Sequence, residues 1–393
     1  MSGQLLATTT KAPIGQGAAT RCEAMNCDPA VVVSDRAAGE ALALRDQALA
    51  ALDRGDPPAA LAFAARGLVV LEAAGLGGGP DEAALLVAVA EIQEALGRFG
   101  DAGVTIATAI AILQDVAGDD DDSLLLWCQA QERLAGLERL AGDFDAAAAR
   151  LAVVLDRAAA AFGEASMAVV SAANALGVAG KYASDFDAAE AAYRRAVAAL
   201  DGVDGADPLI RAGLLHNLGG LAHSRGDFAA GIPLAEQGLA LRAEAVGGGH
   251  PDVARDLNAL GALYHLAGRY RDAERACQRA LAVFEDSYGP GHFEVAMTCA
   301  NLAVLAGDQG HFRAADALGR RSLRILEAVL GPGDAEVGLT LLNLGAAVAG
   351  QGRRAEAAAL TARAAVILAA RLPRDHPHVV AAGEAVDSLG RPS

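Results

Sequence analysis

"LNALGALYHLAGRYRDAERACQRALAVFEDSYGPGHFEVA", Leu257 to Ala296, decides the fold because it is not unique in the chain. "LHNLGGLAHSRGDFAAGIPLAEQGLALRAEAVGGGHPDVA" from Leu215 superposes on it without a gap, and "CANLAVLAGDQGHFRAADALGRRSLRILEAVLGPGDAEVG" from Cys299 follows. The small residue ahead of the aromatic falls at Gly226, Gly268, Gly310 and Gly352, a fixed step of 42 residues. The same step backward reaches Ser184 and Gly142; one slip of 45 residues, absorbed around Asp119 to Asp122, reaches Gly97, and the regular step then reaches Gly55. A constant period over nearly the whole chain means one supersecondary unit, used eight times and stacked on itself.

Inside the quoted unit Leu257, Leu260, Gly261 and Tyr264 follow the i, i+3, i+4, i+7 spacing of one helix face. "AGRY" is a turn, and Ala273, Cys277, Ala280, Leu281 and Phe284 mark the face of a second helix, which "YGPGH" stops. Each unit is therefore a helical hairpin. Glycine inside a helix costs about 1 kcal/mol relative to alanine. A column such as Gly219, Gly261, Ala303 and Gly345 therefore needs a packing reason. The second-helix column Ala147, Ala189, Gly231, Ala273, Ala315 and Ala357 supplies a matching small surface for close approach. An aromatic column, Phe144, Phe186, Phe228, Tyr270 and Phe312, follows the turns and is expected to plug the joins; Arg354 breaks it.

Periodicity also disposes of motifs that look chemical. Gly331 and Gly333 ahead of an apolar run resemble a phosphate loop, but they occupy the connection that holds Gly289 and Gly291, or Gly247 and Gly249, one and two units earlier. They end a helix and turn the chain. No Gly-Lys-Ser/Thr follows, so nucleotide binding is discarded. His250, His292 and His376 recur at one junction with Asp334 in the equivalent place, a helix-start motif and not a cluster. His376 and His378 lack a converging carboxylate or cysteine, and "DDDD", Asp119 to Asp122, lacks the glycine and spaced acid of a calcium loop. No nucleophile elbow, acid/base pair or redox motif stands out, and we expect neither an enzyme nor a cofactor or metal.

Composition agrees with closely packed helices: 53% hydrophobic residues but only 4% aromatic. A formal charge of −17 disfavours nonspecific binding to nucleic acid or an anionic membrane. The start, "MSGQLLATTTKAPIGQG", lacks the pattern of a secretory signal, and five scattered cysteines (22, 27, 128, 277, 299) argue against a disulfide framework. The expected compartment is the cytoplasm. Lysine occurs only at Lys11 and Lys181, a bias typical of high-GC bacterial coding.

The small residue, the bulky residue, the "GRY" turn and the alanine-rich second helix together resemble the tetratricopeptide repeat. With the 42-residue period and the connection "GGGHPDVA", they are similar to its kinesin light chain type. The resemblance implies an all-α, right-handed superhelical solenoid of about eight hairpins. We expect residues 1–33 to be a disordered leader, 34–372 the array, degenerate over 34–118 and clearest over 166–372, and 373–393 a capping helix and tail. It further implies a concave groove, lined by the first helices, that binds an extended peptide or partner protein. The alternative is a regulatory receptor whose array closes on a signalling peptide or small molecule. Groove asparagines of such repeats match Asn174 and Asn258 in one column and Asn217, Asn301 and Asn343 in the next, with His216, Arg255, His223 and His265 sharing the surface. These amides either face ligand or bond neighbouring helices. Basic residues on this surface are sparse, Arg255 being the one counted, so a C-terminal carboxylate ligand is not expected. Oligomeric state is not legible.

Overall fold

The computed structural model describes residues 29–116 and 120–390, and every regular element among them is an α-helix. The chain divides into two compact units, Met1–Ala206 and Asp207–Ser393. The first unit holds four hairpins: α1 (Pro29–Asp53) with α2 (Pro57–Ala73), α3 (Pro80–Ala95) with α4 (Phe99–Val116), α5 (Asp121–Leu140) with α6 (Phe144–Phe162), and α7 (Met167–Tyr182) with α8 (Phe186–Asp201). The second holds four more: α9 (Pro208–Arg225) with α10 (Phe228–Val246), α11 (Pro251–Leu266) with α12 (Tyr270–Tyr288), α13 (Phe293–Asp308) with α14 (Phe312–Leu330), and α15 (Ala335–Gly350) with α16 (Arg354–Arg371). A final helix, α17 (Pro377–Gly390), packs on α16. The protein is thus an all-α repeat solenoid with the eight hairpins that the period demands.

Local chemistry explains each bend. All eight anchor residues, from Gly55 to Gly352, have positive φ, and seven of them are glycine; Ser184 (φ 61°) is the non-glycine residue of this kind among the described residues. The left-handed conformation reverses the chain in few residues. Asp56, Asp143, Asp185 and Asp227 come next, and each carboxylate accepts the amide N–H three residues on, capping a second helix. The helix-start motif is equally concrete: Nδ1 of His250 and of His292 accepts from the N–H of Asp252 and Glu294 at 3.2 Å, and Oδ1 of Asp334 accepts from Glu336 at 2.9 Å. Gly331 ends α14 with φ 86°, as Gly289 (φ 82°) ends α12, so the apparent phosphate loop is a helix stop.

The glycine column does what a missing side chain permits. A Cβ on Gly261 would lie 2.5 Å from Cys277 Sγ, and one on Gly345 would lie 2.6 Å from Thr361 Oγ1. Between the paired helices Leu257, Leu260, Leu263, Cys277, Ala280 and Phe284 are buried together. The aromatic column reaches further than its own hairpin: Phe144 stacks on Tyr182 of α7 at 6.4 Å, and Phe312 fills the space beside Gly350 of α15. Arg354, which breaks that column, donates to the carbonyls of Ser388 (2.9 Å) and Leu389 (3.2 Å) at the far end of α17.

Two sequence expectations meet the edge of the described residues. Helix α1 begins at Pro29, inside the stretch read as leader, and residues 1–28, with Cys22 and Cys27, lie outside the description. Of the aspartate run, Asp119 lies outside as well, while Asp120 caps α5 through Ser123 (N to Oδ1, 2.7 Å). Cys128, Cys277 and Cys299 are free and buried; burial pushes the Cys128 thiol up to about 12 and that of Cys277 to about 11, so both remain protonated hydrophobes.

Candidate peptide-binding face

Within each unit the first helices of successive hairpins touch one another (α1 with α3, α3 with α5, α5 with α7; α9 with α11, α11 with α13, α13 with α15). No pair of second helices approaches comparably among the described residues. The first helices therefore form the tighter, inner side of each stack, and it is there that the sequence places its candidate residues.

Eight of the nine lie on the second unit. Asn301 on α13 donates its Nδ2 to Asn258 Oδ1 on α11 at 3.0 Å, so these two amides join neighbouring helices. Both remain half-buried, as does Asn217 on α9, whereas Asn343 on α15 is exposed. His216 places Nδ1 2.8 Å from Asp256 Oδ1 on α11, and Arg242 Nε on α10 donates to the other oxygen of that carboxylate at 2.6 Å. Arg255 is committed to the protein's own acids: Nε donates to Glu294 on α13 at 3.1 Å, NH1 to Asp252, and NH2 to the Tyr288 hydroxyl at 3.3 Å. Met297, Leu339 and Leu342 give the same face half-exposed apolar surface. At the turn end His265 Nε2 lies 2.7 Å from Asp308 Oδ2, and the exposed His223 sits edge-on to Phe228.

Asn174 lies apart from these eight, half-buried on α7 of the first unit. Beside it Ser171 Oγ donates to Glu132 Oε2 on α5 at 2.6 Å. Burial pushes the Glu132 carboxyl up to about 7, and the Ser171 hydrogen bond pulls it the other way. Arg133, next along, is taken by Glu91 and Glu94 of α3, each at 3.0 Å. The inner faces of both units are therefore laced by side chains that span one first helix to the next.

Sequence reading singled out Asn258, Asn301, His216 and Arg255 as candidates but supplied none of their partners. Asp256 and Arg242 went unremarked, though both interrupt columns that are otherwise uncharged, a signal visible in the aligned repeats. Among the described residues no group of histidine, cysteine, aspartate and glutamate could hold a metal, and no helix is long and apolar enough to cross a membrane.

Comparison with known proteins agrees with this architecture. The tetratricopeptide repeat model matches residues 211–285 and 268–328. The crystal structure of BtubC (BKLC) from P. vanneervenii is 27% identical, over 57% of this chain and 89% of that one, with a TM-score of 0.50. The repeats of a putative kinesin light chain from Podosopora anserina are 18% identical over 52% of this chain and 97% of that one, at a TM-score of 0.45. A Rap protein complexed with competence and sporulation factor is 13% identical, over 79% of this chain and 87% of that one, at a TM-score of 0.52. No curated protein sequence matches. Residues 211–328 are tetratricopeptide repeats, and the hairpins before and after them repeat the same fold.

Proposed function

We propose that the chain is a non-catalytic interaction scaffold, which binds an extended peptide segment of a partner protein along the inner face of its second unit. The observation that carries this reading is the amide row: Asn217, Asn258, Asn301 and Asn343 stand on four successive first helices of one unit, three half-buried and one exposed. Asparagine is a poor helix former, and its recurrence here adds nothing to the helices' own propensity. A side-chain amide offers both a donor and an acceptor, the two groups that an extended main chain presents. The single bond between Asn258 and Asn301 leaves each with further hydrogen-bonding capacity. Met297, Leu339 and Leu342 supply apolar surface for the peptide's own side chains.

The engagement of Arg255 by two acids and a tyrosine weighs against a C-terminal carboxylate as the recognised group. The net charge of −17 weighs against nucleic acid or an anionic membrane. Asn174, with Ser171 and Glu132, gives the first unit a polar inner face of its own, which we assign the same kind of role.

A phage-displayed library of linear peptides, selected on the full chain, tests the proposal. The expected result is a binding peptide whose affinity falls at least about tenfold in Asn217→Ala/Asn258→Ala/Asn301→Ala, with helical content retained. Equal binding by the folded triple variant would make the asparagines structural. A second reading, a regulatory receptor that closes on a signalling peptide or small molecule, uses the same fold, the similar Rap structure being one that holds competence and sporulation factor. X-ray scattering with and without the selected peptide separates the two, since a receptor changes its radius of gyration on binding.

A further inference from the structure

The repeat sets its own standard for what each position requires, and the join between the hairpins α9–α10 and α11–α12 departs from it. Arg242 occupies a column that holds Leu200, Phe284, Leu326 and Leu368 in other hairpins, all buried hydrocarbon; Asp256 occupies the column of Leu214, Thr298 and Thr340. The fold therefore needs no charge at either place. Yet Arg242 and Asp256 are 6% and 5% exposed and joined at 2.6 Å. Burying two ions carries a desolvation cost, and a well-packed hydrophobic pair of the same size is often as stable or more so. Packing does not explain the exchange.

What the pair does touch is His216. Asp256 Oδ2 receives Arg242, and Oδ1 lies 2.8 Å from His216 Nδ1, while the imidazole remains 28% exposed. A carboxylate salt-bridged to a guanidinium can only accept, so Nδ1 carries the proton, and when the ring is neutral its lone pair sits on Nε2. His216 shares its column with Asn258 and adjoins Asn217, so its ring belongs to the amide row.

Building on the peptide-binding reading above, we infer that Arg242 and Asp256 are positioning residues that hold His216 in its Nδ1–H tautomer, with Nε2 a fixed acceptor for a main-chain amide N–H of the bound peptide. A lone pair at this place disfavours an anionic group, and Asp252 and Glu294 on the same face add to that preference. The amides around it can serve either partner of a hydrogen bond; this ring serves one. It therefore contributes register as well as affinity.

Nitrogen-15 long-range correlation spectra of the full chain read the tautomer directly. We expect the Nδ1–H pattern for His216 in the free protein and a shift of its Nε2 resonance on adding the peptide selected above. Arg242→Leu/Asp256→Leu gives the two positions the residues found one repeat earlier, Leu200 and Leu214. It should unfold at the same temperature or higher while binding that peptide about tenfold more weakly. His216→Phe, at a partly exposed position, should lose the same affinity without disturbing the pair, and serves if the double variant does not fold. An Nε2–H pattern, a tautomer mixture or a doubly protonated ring in the wild type overturns the inference. So does undiminished affinity in a folded double variant or in His216→Phe; if the asparagine triple variant still loses binding, the peptide reading survives alone. Failure of the library to yield any binder overturns both.

Discussion

Ser184 shows how strictly the turn dictates its residue. At φ 61° it holds a conformation that its seven counterparts hold as glycine, and a side chain there costs about 1 to 2 kcal/mol. Asp185 follows and caps α8 as Asp143 and Asp227 cap their helices, so the turn is formed normally and only its first residue is strained. Ser184→Gly should therefore stabilise the protein. The gain should be about 1 kcal/mol, less than the full strain because glycine is freer in the unfolded chain; urea denaturation followed by circular dichroism measures it. A shift of the midpoint to lower urea would mean that the serine hydroxyl holds the turn in a way the φ angle does not convey. The turn was legible in the sequence because a period needs no geometry. The partners of Asn258 and His216 were not, because a column states which residues share a face and not how far two neighbouring columns reach across the join. Arg242 was missed for a related reason: reading a helix face by its apolar positions passes over a charged residue that occupies one of them.

Two helices of a hairpin approach each other only as closely as their smallest facing residues allow, and Gly261 sets that limit for α11 and α12. Its Cα faces Cys277, whose Sγ would sit 2.5 Å from an added Cβ, while the Ala273 carbonyl oxygen would be 3.5 Å away. The conflict is thus with one short side chain and not with the backbone. Gly261→Ala alone should destabilise by about 1 to 3 kcal/mol through overpacking, despite the better helix propensity of alanine. Cys277→Ala alone should also destabilise, because it empties buried space. Combined, the two should cost clearly less than the sum of their separate effects, because the new methyl group occupies the volume that the sulfur vacates. A double-mutant cycle by chemical denaturation checks this. Additive effects would show that the helices part to admit the methyl group, so that the glycine column would not set their spacing.

A stack of hairpins leaves an apolar face wherever it stops, and in the second unit α17 covers the one presented by α15 and α16. Leu389 packs against the cluster of Leu344, Val348 and Ala357, and Ala382 is fully buried. Arg354 fastens the helix by donating to the carbonyls of Ser388 and Leu389, groups that a helix C-terminus leaves without intrahelical partners. The substitution of arginine for the column's aromatic thus has a physical reason. In earlier hairpins Phe144 and Phe312 meet a following first helix beside Tyr182 and Gly350, whereas here the following element presents carbonyl oxygens. Removing residues 377–393 should uncover Leu344 and Val348 and destabilise the second unit by on the order of 3 kcal/mol, the burial of one or two aliphatic side chains. It should also promote self-association, because exposed repeat faces are complementary to one another. Arg354→Phe should lower the unfolding temperature by a smaller amount, since α17 keeps its apolar contacts and loses only its fastening. Thermal unfolding with light scattering on both variants distinguishes the two contributions. If the truncated chain self-associates no more than the full chain and unfolds at the wild-type temperature, the helix is an appendage and the array is already closed by α16.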